Sequence, residues 1–140
     1  MSKTKSILRV SSLSHVPGHC MWGDSALPGR EYSYVSLKDL LPVLLPGREL
    51  RRVKLRHIWA QPGGAFGRND FVGPRFESAD PKFPGLLVRG MPNPQSTRYR
   101  LIDGRRRLEK LRRKGAISSL YYVFEISEIQ PFIYDFELIR

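Results

Sequence analysis

Between Arg98 and Gly115 the chain reads RYRLIDGRRRLEKLRRKG, and no other stretch narrows the fold as much. Tyr99 and Leu101 alternate with Arg98 and Arg100, the period-two signature of a strand. Asp-Gly ends that run. Leu108 and Leu111, three apart, fall on one side of a helix and form its apolar stripe. Asp103 stands where a side-chain N-cap would sit. Arg112, Arg113 and Lys114 fill the last turn, where cations complement the helix dipole, and Gly115 is the natural stop. The following SLYYVFEIS, rich in aromatic and β-branched residues, predicts another strand. The expected fold is a small single α+β domain, a mixed β-sheet with one principal helix.

The rest of the chain is read against that unit. In YSYVSLKDLLPVL, Ser36 is a helix N-cap with Asp39 three residues on. Leu37, Leu40, Leu41 and Leu44 make a short amphipathic helix, interrupted near Pro42. ELRRVKLRHIWA alternates and predicts a strand at about residues 51–59. LLVRG, Leu86–Gly90, predicts a second short strand, and IQPFIYDFELIR a further strand or extended segment packing across the body. The 140 residues include twelve glycines and eleven prolines, which suits one loop-rich domain with one core. Residues 61–85 carry too many of both for regular structure. Residues 1–30 are polar and basic and show no periodicity, so they are expected as a flexible basic N-terminal arm before a domain at 31–140.

Charge restricts the partners. Lysine and arginine number 24 against 13 acids, for a formal net charge of +11. Such a surface attracts polyanions: a nucleotide, nucleic acid or an acidic protein. No window approaches the roughly 20 apolar residues of a membrane span, so no membrane partner is expected. The single cysteine, Cys20, excludes an intramolecular disulfide and fits a reducing, cytoplasmic setting. An oligomer is left open.

The start of the helix poses the sharper question. Arginines in a first turn oppose the dipole, at a few tenths of a kcal/mol each in an isolated helix. A bound phosphate reverses that sign. A strand, a glycine turn and a helix N-terminus together build an anion cradle, because the first amides lack partners and the glycine lets an anion approach closely. Arginine forks match phosphate oxygens two at a time. The candidate phosphate site is therefore Gly104, Arg105, Arg106 and Arg107, with Arg98, Arg100, Lys110, Arg112 and Arg113 as a supporting basic patch. Residues 105–114 hold seven basic residues against one acid, Glu109. A merely solvated basic face is the alternative.

YRLIDGRRRLEKLRRKG followed by LYYVFE also resembles the signature of the ParB/sulfiredoxin-like superfamily: an apolar strand, Gly-x-Arg-Arg opening a helix that ends at Gly, then an apolar strand. VKLRHIWAQPGGAFGRND is faintly similar to the family's first box, whose basic residue would be Arg68, and FPGLLVRG to its second strand. The resemblance spans roughly residues 50–125 and is specific over 99–115. It implies a ParB/sulfiredoxin-like fold. In ParB proteins the Gly and the two arginines of Gly-Glu-Arg-Arg contact a nucleoside triphosphate, and those positions match Gly104, Arg106 and Arg107. The implied cofactor is a nucleotide, CTP or ATP, with Mg²⁺. Arg105 departs from the pattern: it replaces the Glu used near the metal and in hydrolysis, which tells against nucleotide turnover and leaves phosphate binding in place. It also stands where sulfiredoxins carry their reactive cysteine, which excludes that chemistry at this position.

Other constellations are weaker. His15, His19 and Cys20 match no zinc spacing, and no metal site is expected. Gln61–Gly67 is glycine-rich but lacks the Gly-Lys-Ser/Thr ending of a P-loop. Asp70, Glu77 and Asp80 lie in the long loop, where a sequence cannot say whether they reach the cradle. Three functions follow, in this order: a module that binds the phosphate of a nucleotide or nucleic acid, a nucleotide-dependent phosphotransferase or nuclease, and an interaction or assembly protein that grips an acidic partner.

Overall fold

The computed structural model describes residues 7–61 and 84–139. Four strands form one sheet: β1 (Leu8–Val10), β2 (His19–Trp22), β3 (Tyr32–Val35) and β9 (Ile133–Leu138), in the order β1–β9–β3–β2. Five form the other: β4 (Arg51–Lys54), β5 (Ile58–Trp59), β6 (Gly85–Arg89), β7 (Tyr99–Asp103) and β8 (Ser118–Glu125), in the order β4–β8–β6–β7–β5. Three α-helices accompany them: α1 (Leu37–Leu44), α2 (Arg105–Arg113) and α3 (Ile126–Ile129). Both sheets are mixed. β1 runs parallel to β9, while β3 opposes both β9 and β2. β6 is parallel to β8, β5 is parallel to β7, and the other pairings in the larger sheet are antiparallel. The α+β expectation holds, with three helices among the described residues where one principal helix was expected.

The five-stranded sheet is covered on both faces, and period-two alternation sorts its side chains. Leu87, Leu101, Tyr121 and Val123 join Val53, Leu55 and Ile58 under Leu108 of α2. Leu86, Val88, Ile102 and Phe124 face the other way, against Met21, Val35, Leu40, Ile129 and Ile133. Burying each large aliphatic side chain contributes about 1.5–3 kcal/mol, so the sheet is the mechanical base of everything attached to it. A smaller cluster, Val10, Val16, Cys20 and Phe136, fills the four-stranded sheet.

Residues 7–30 are not an arm. They supply β1, β2 and two 3-10 turns, and Val10, Val16, Cys20, Met21 and Leu27 are buried. Their pairing is non-local: Leu8 lies beside Phe136 and Val10 beside Leu138. The strand expected at 51–59 is broken by a 3-10 turn at Leu55–His57. The reason lies in the buried positions. Val53 and Leu55 keep one parity and Ile58 does not, so the chain must turn to bury all three. Ser36 caps α1 as expected, its Oγ accepting from Asp39 N–H at 3.4 Å. The helix runs through Pro42 to Leu44 without interruption, although proline removes the hydrogen bond to Lys38 O and crowds that carbonyl. β9 is a central strand of the smaller sheet.

Arg48 fastens the segment after α1 to the larger sheet. Its guanidinium donates to Val123 O at 2.8 Å, to the Glu128 carboxylate and to Leu44 O, and lies 4.5 Å over the Phe124 ring. Glu128 in turn accepts from Glu125 N–H in the capping box of α3.

Candidate functional site

The β7–α2 junction turns on Gly104. It sits at φ +102°, the left-handed region that side chains disfavour. A Cβ there would lie 3.1 Å from Gly85 Cα, so the glycine lets the turn press against the start of β6. The glycine was expected to admit an approaching phosphate; the protein's own backbone fills the space a Cβ would take. Gly104 is also the N-cap, with no side-chain cap bond, and Asp103 remains the last residue of β7. Leu108 N–H to Gly104 O, 2.9 Å, is the first helical bond. The amides of residues 105–107 therefore precede any helical acceptor. At the far end, Gly115 N–H bonds Arg112 O and Ala116 N–H bonds Leu111 O, with Gly115 at φ +76°. That is the Schellman closure its glycine implied.

The three first-turn arginines are all partly buried. Arg105 donates to Gln61 O at 3.5 Å and Arg107 to Pro84 O at 2.9 Å. The two residues that flank segment 62–83 are thus both tied to the first turn of α2. Arg107 also lies 3.8 Å from the half-exposed Asp103 carboxylate. Burial, and then the neighbouring Arg106, pulls the Arg105 guanidinium below its ordinary pKa, since both disfavour the charged form. Beneath α2, burial pushes the Tyr121 phenol up to about 12 against the opposing pull of Arg112 and Arg107. Its hydroxyl is buried and meets no hydrogen-bond partner among the described residues.

The supporting patch divides. Arg98, Arg112 and Arg113 are exposed, and Lys110 is partly so. Arg112 donates to Ile58 O at 3.3 Å, and Arg113 pairs with Glu109 at 3.3 Å. Arg100 does not belong to the patch. It is 1% exposed, and its Nε donates to His19 Nε2 at 2.8 Å. Its Nη1 donates to Pro92 O at 2.7 Å and Ser25 O at 3.2 Å, its Nη2 to Cys20 O at 3.4 Å. Its guanidinium carbon lies 4.7 Å over the Trp59 ring. The side of β7 that looked solvent-facing is covered by β2 and the turn after it, so Arg100 staples the two sheets together. Arg68 lies outside the described residues, as do Asp70, Glu77 and Asp80.

His19 was set aside in sequence as one of a weak metal trio. The structure brings it to the junction between Arg100 and the first turn of α2. Its pKa is held well below the ordinary value by burial and by the charges of Arg100 and Arg105. Accepting from Arg100 requires that Nε2 carry no proton. Cys20, the next residue of β2, is buried in the smaller sheet's cluster, and burial raises its thiol to about 11. Among the described residues no group of three His, Cys, Asp or Glu side chains stands close enough to hold a metal ion, and Asp103, the carboxylate beside the first turn, faces Arg107. Gln61, Pro84, Gly85 and His19 were all missed by sequence reasoning. Only the tie of a glycine before a strand, Gly85, left a local signal.

No protein-family model and no curated protein sequence matches the chain. Among solved structures it is similar to the C-terminally truncated chromosome-partitioning protein ParB from Caulobacter crescentus complexed with CTP-gamma-S, at 20% identity and a TM-score of 0.41. The overlap covers 56% of this chain and 45% of that one, so the chain spans less than half of that protein's length. No described helix is long and apolar enough to cross a membrane.

Proposed function

We propose that this chain is a binding module that holds the phosphate of a nucleotide or a nucleic acid at the first turn of α2. The site comprises the amides of residues 105–107, the Gly104 turn, and the guanidiniums of Arg105 and Arg106, with Arg107 bracing the turn against Pro84. One observation carries the reading. A strand, a left-handed glycine and a nine-residue helix aim the amides of residues 105–107, which precede the first helical bond, at a point flanked by three partly buried arginines. An oxyanion there meets the amides, the positive end of the helix dipole and the guanidinium forks at once.

Titration calorimetry with tripolyphosphate, CTP and ATP tests it. Arg105→Ala with Arg106→Ala is expected to weaken binding at least about tenfold, which corresponds to about 1.4 kcal/mol, while far-ultraviolet circular dichroism stays unchanged. Equal affinity in the double variant would reduce the first turn to a solvated basic face.

A further inference from the structure

A second concentration of positive charge lies at the opposite end of α2. β5 runs parallel to β7 with Ile58 beside Tyr99, which sets His57 next to Arg98. Leu55 N–H bonds Ile117 O at 2.8 Å and Arg112 reaches Ile58 O. The 3-10 turn Leu55–His57, which leads into β5 beside the start of β7, therefore lies against the last turn of α2 and the residues that follow it. Lys54, Arg56, Arg98 and Arg112 are all exposed there. The segments that meet, 50–61, 90–102 and 110–124, contain ten of the 24 basic residues, and of the acids that border them, Glu125 and Glu109 are paired with Arg89 and Arg113. Of those ten, Arg100 alone is turned inside. The crowding is felt locally: His57 is held below its ordinary pKa by desolvation and then by Arg98, Arg56 and Lys54. The helix C-terminus offsets part of this charge, since its dipole is negative there, and Glu109 neutralises Arg113, which leaves Lys54, Arg56, Arg98 and Arg112 as exposed cations of the surface.

We infer that this surface beside the last turn of α2 is a second backbone-binding surface for nucleic acid, so that one strand lies along α2 from the Arg105–Arg106 turn to Arg56 and Arg98. The choice of nucleic acid over an acidic protein segment rests on the reading of the first turn as a phosphate site. The length fits. Nine helical residues at about 1.5 Å each separate the two ends by roughly 13 Å, and one strand of a duplex presents a phosphate about every 3.4 Å, so about four phosphates cover the distance. A mononucleotide concentrates its charge on two or three adjacent phosphates and neutralises one end alone.

Fluorescence anisotropy with a labelled oligonucleotide, single-stranded in one arm and duplex in the other, tests the surface. The variant is Arg56→Gln with Arg98→Gln, both exposed and remote from the first turn of α2. The slope of log K against log salt is expected to flatten by about 1.8 on duplex or about 1.4 on a single strand, from about 0.9 or about 0.7 per lost phosphate contact. Tripolyphosphate affinity, measured by calorimetry, is expected to stay the same. An unchanged slope in both arms would overturn the inference. So would polyglutamate that binds the wild type as tightly as the oligonucleotide and loses affinity equally in the variant. If the wild type binds oligonucleotide through Arg56 and Arg98 but does not bind tripolyphosphate, the first-turn reading fails and this surface stands.

Discussion

Replacing Arg100 by methionine separates an interior staple from a surface cation. Burial pushes the guanidinium down to about 10, and the displacement from the ordinary arginine value corresponds to a desolvation cost on the order of 3 kcal/mol. Against it stand four hydrogen bonds, to His19, Ser25, Pro92 and Cys20. At about 1.5 kcal/mol each, the low end for a charged donor, they contribute about 6 kcal/mol. Methionine keeps much of the volume, removes the desolvation cost and leaves buried carbonyls without a donor. The expected net loss is about 3 kcal/mol. For a domain of this size that lowers Tm by about 12 °C, read by circular dichroism and by Trp fluorescence, since Trp59 stacks on the guanidinium. Oligonucleotide binding below the melt should keep its salt slope, because Arg100 offers no solvent-facing charge. A methionine variant as stable as the wild type would refute the argument, showing the buried cation to be no better than an apolar side chain at that position.

Two further outcomes follow from the same junction. Gly104→Ala places a side chain at φ +102° and within 3.1 Å of Gly85 Cα, so a loss of about 2 kcal/mol and a Tm lower by about 8 °C are expected; an unchanged melt would mean that the turn relaxes freely. His19 has a folded pKa well below its unfolded value of about 6.5, so the unfolded chain binds more protons and stability falls as pH drops below that value. Tm is therefore expected to decline between pH 7.5 and 5, and His19→Gln, which still accepts from Arg100 and does not titrate, should flatten the decline; parallel curves would exclude His19 as the cause. The depressed pKa of Glu128, set first by its bond to Arg48, acts at lower pH, where that carboxylate protonates.

What could be read from sequence was what is decided locally. The unit from Tyr99 to Glu125 was legible because Gly104 and Gly115 force backbone conformations and the Leu108–Leu111 spacing fixes the buried side of α2. Ser36 was legible for the same reason. The first thirty residues were not, because β1 and β2 owe their existence to partners elsewhere and their buried residues are separated by 3-10 turns that erase any period. Arg100 misled because alternation tells which face a side chain takes, not what covers that face. The three arginines of the first turn of α2 are visible in the sequence, but their contacts with Gln61 and Pro84 depend on two loop ends whose return to the helix no spacing encodes.

The strand order β1–β9–β3 places the last described strand between two of the earliest. During synthesis β1 leaves the ribosome without its strand partner and the β2–β3 pair leaves with one bare edge, and both wait for Ile133–Leu138. Closure of that sheet is therefore a late, all-or-none event, and a nascent chain stalled short of β9 would offer sticky edges to chaperones or to its own copies.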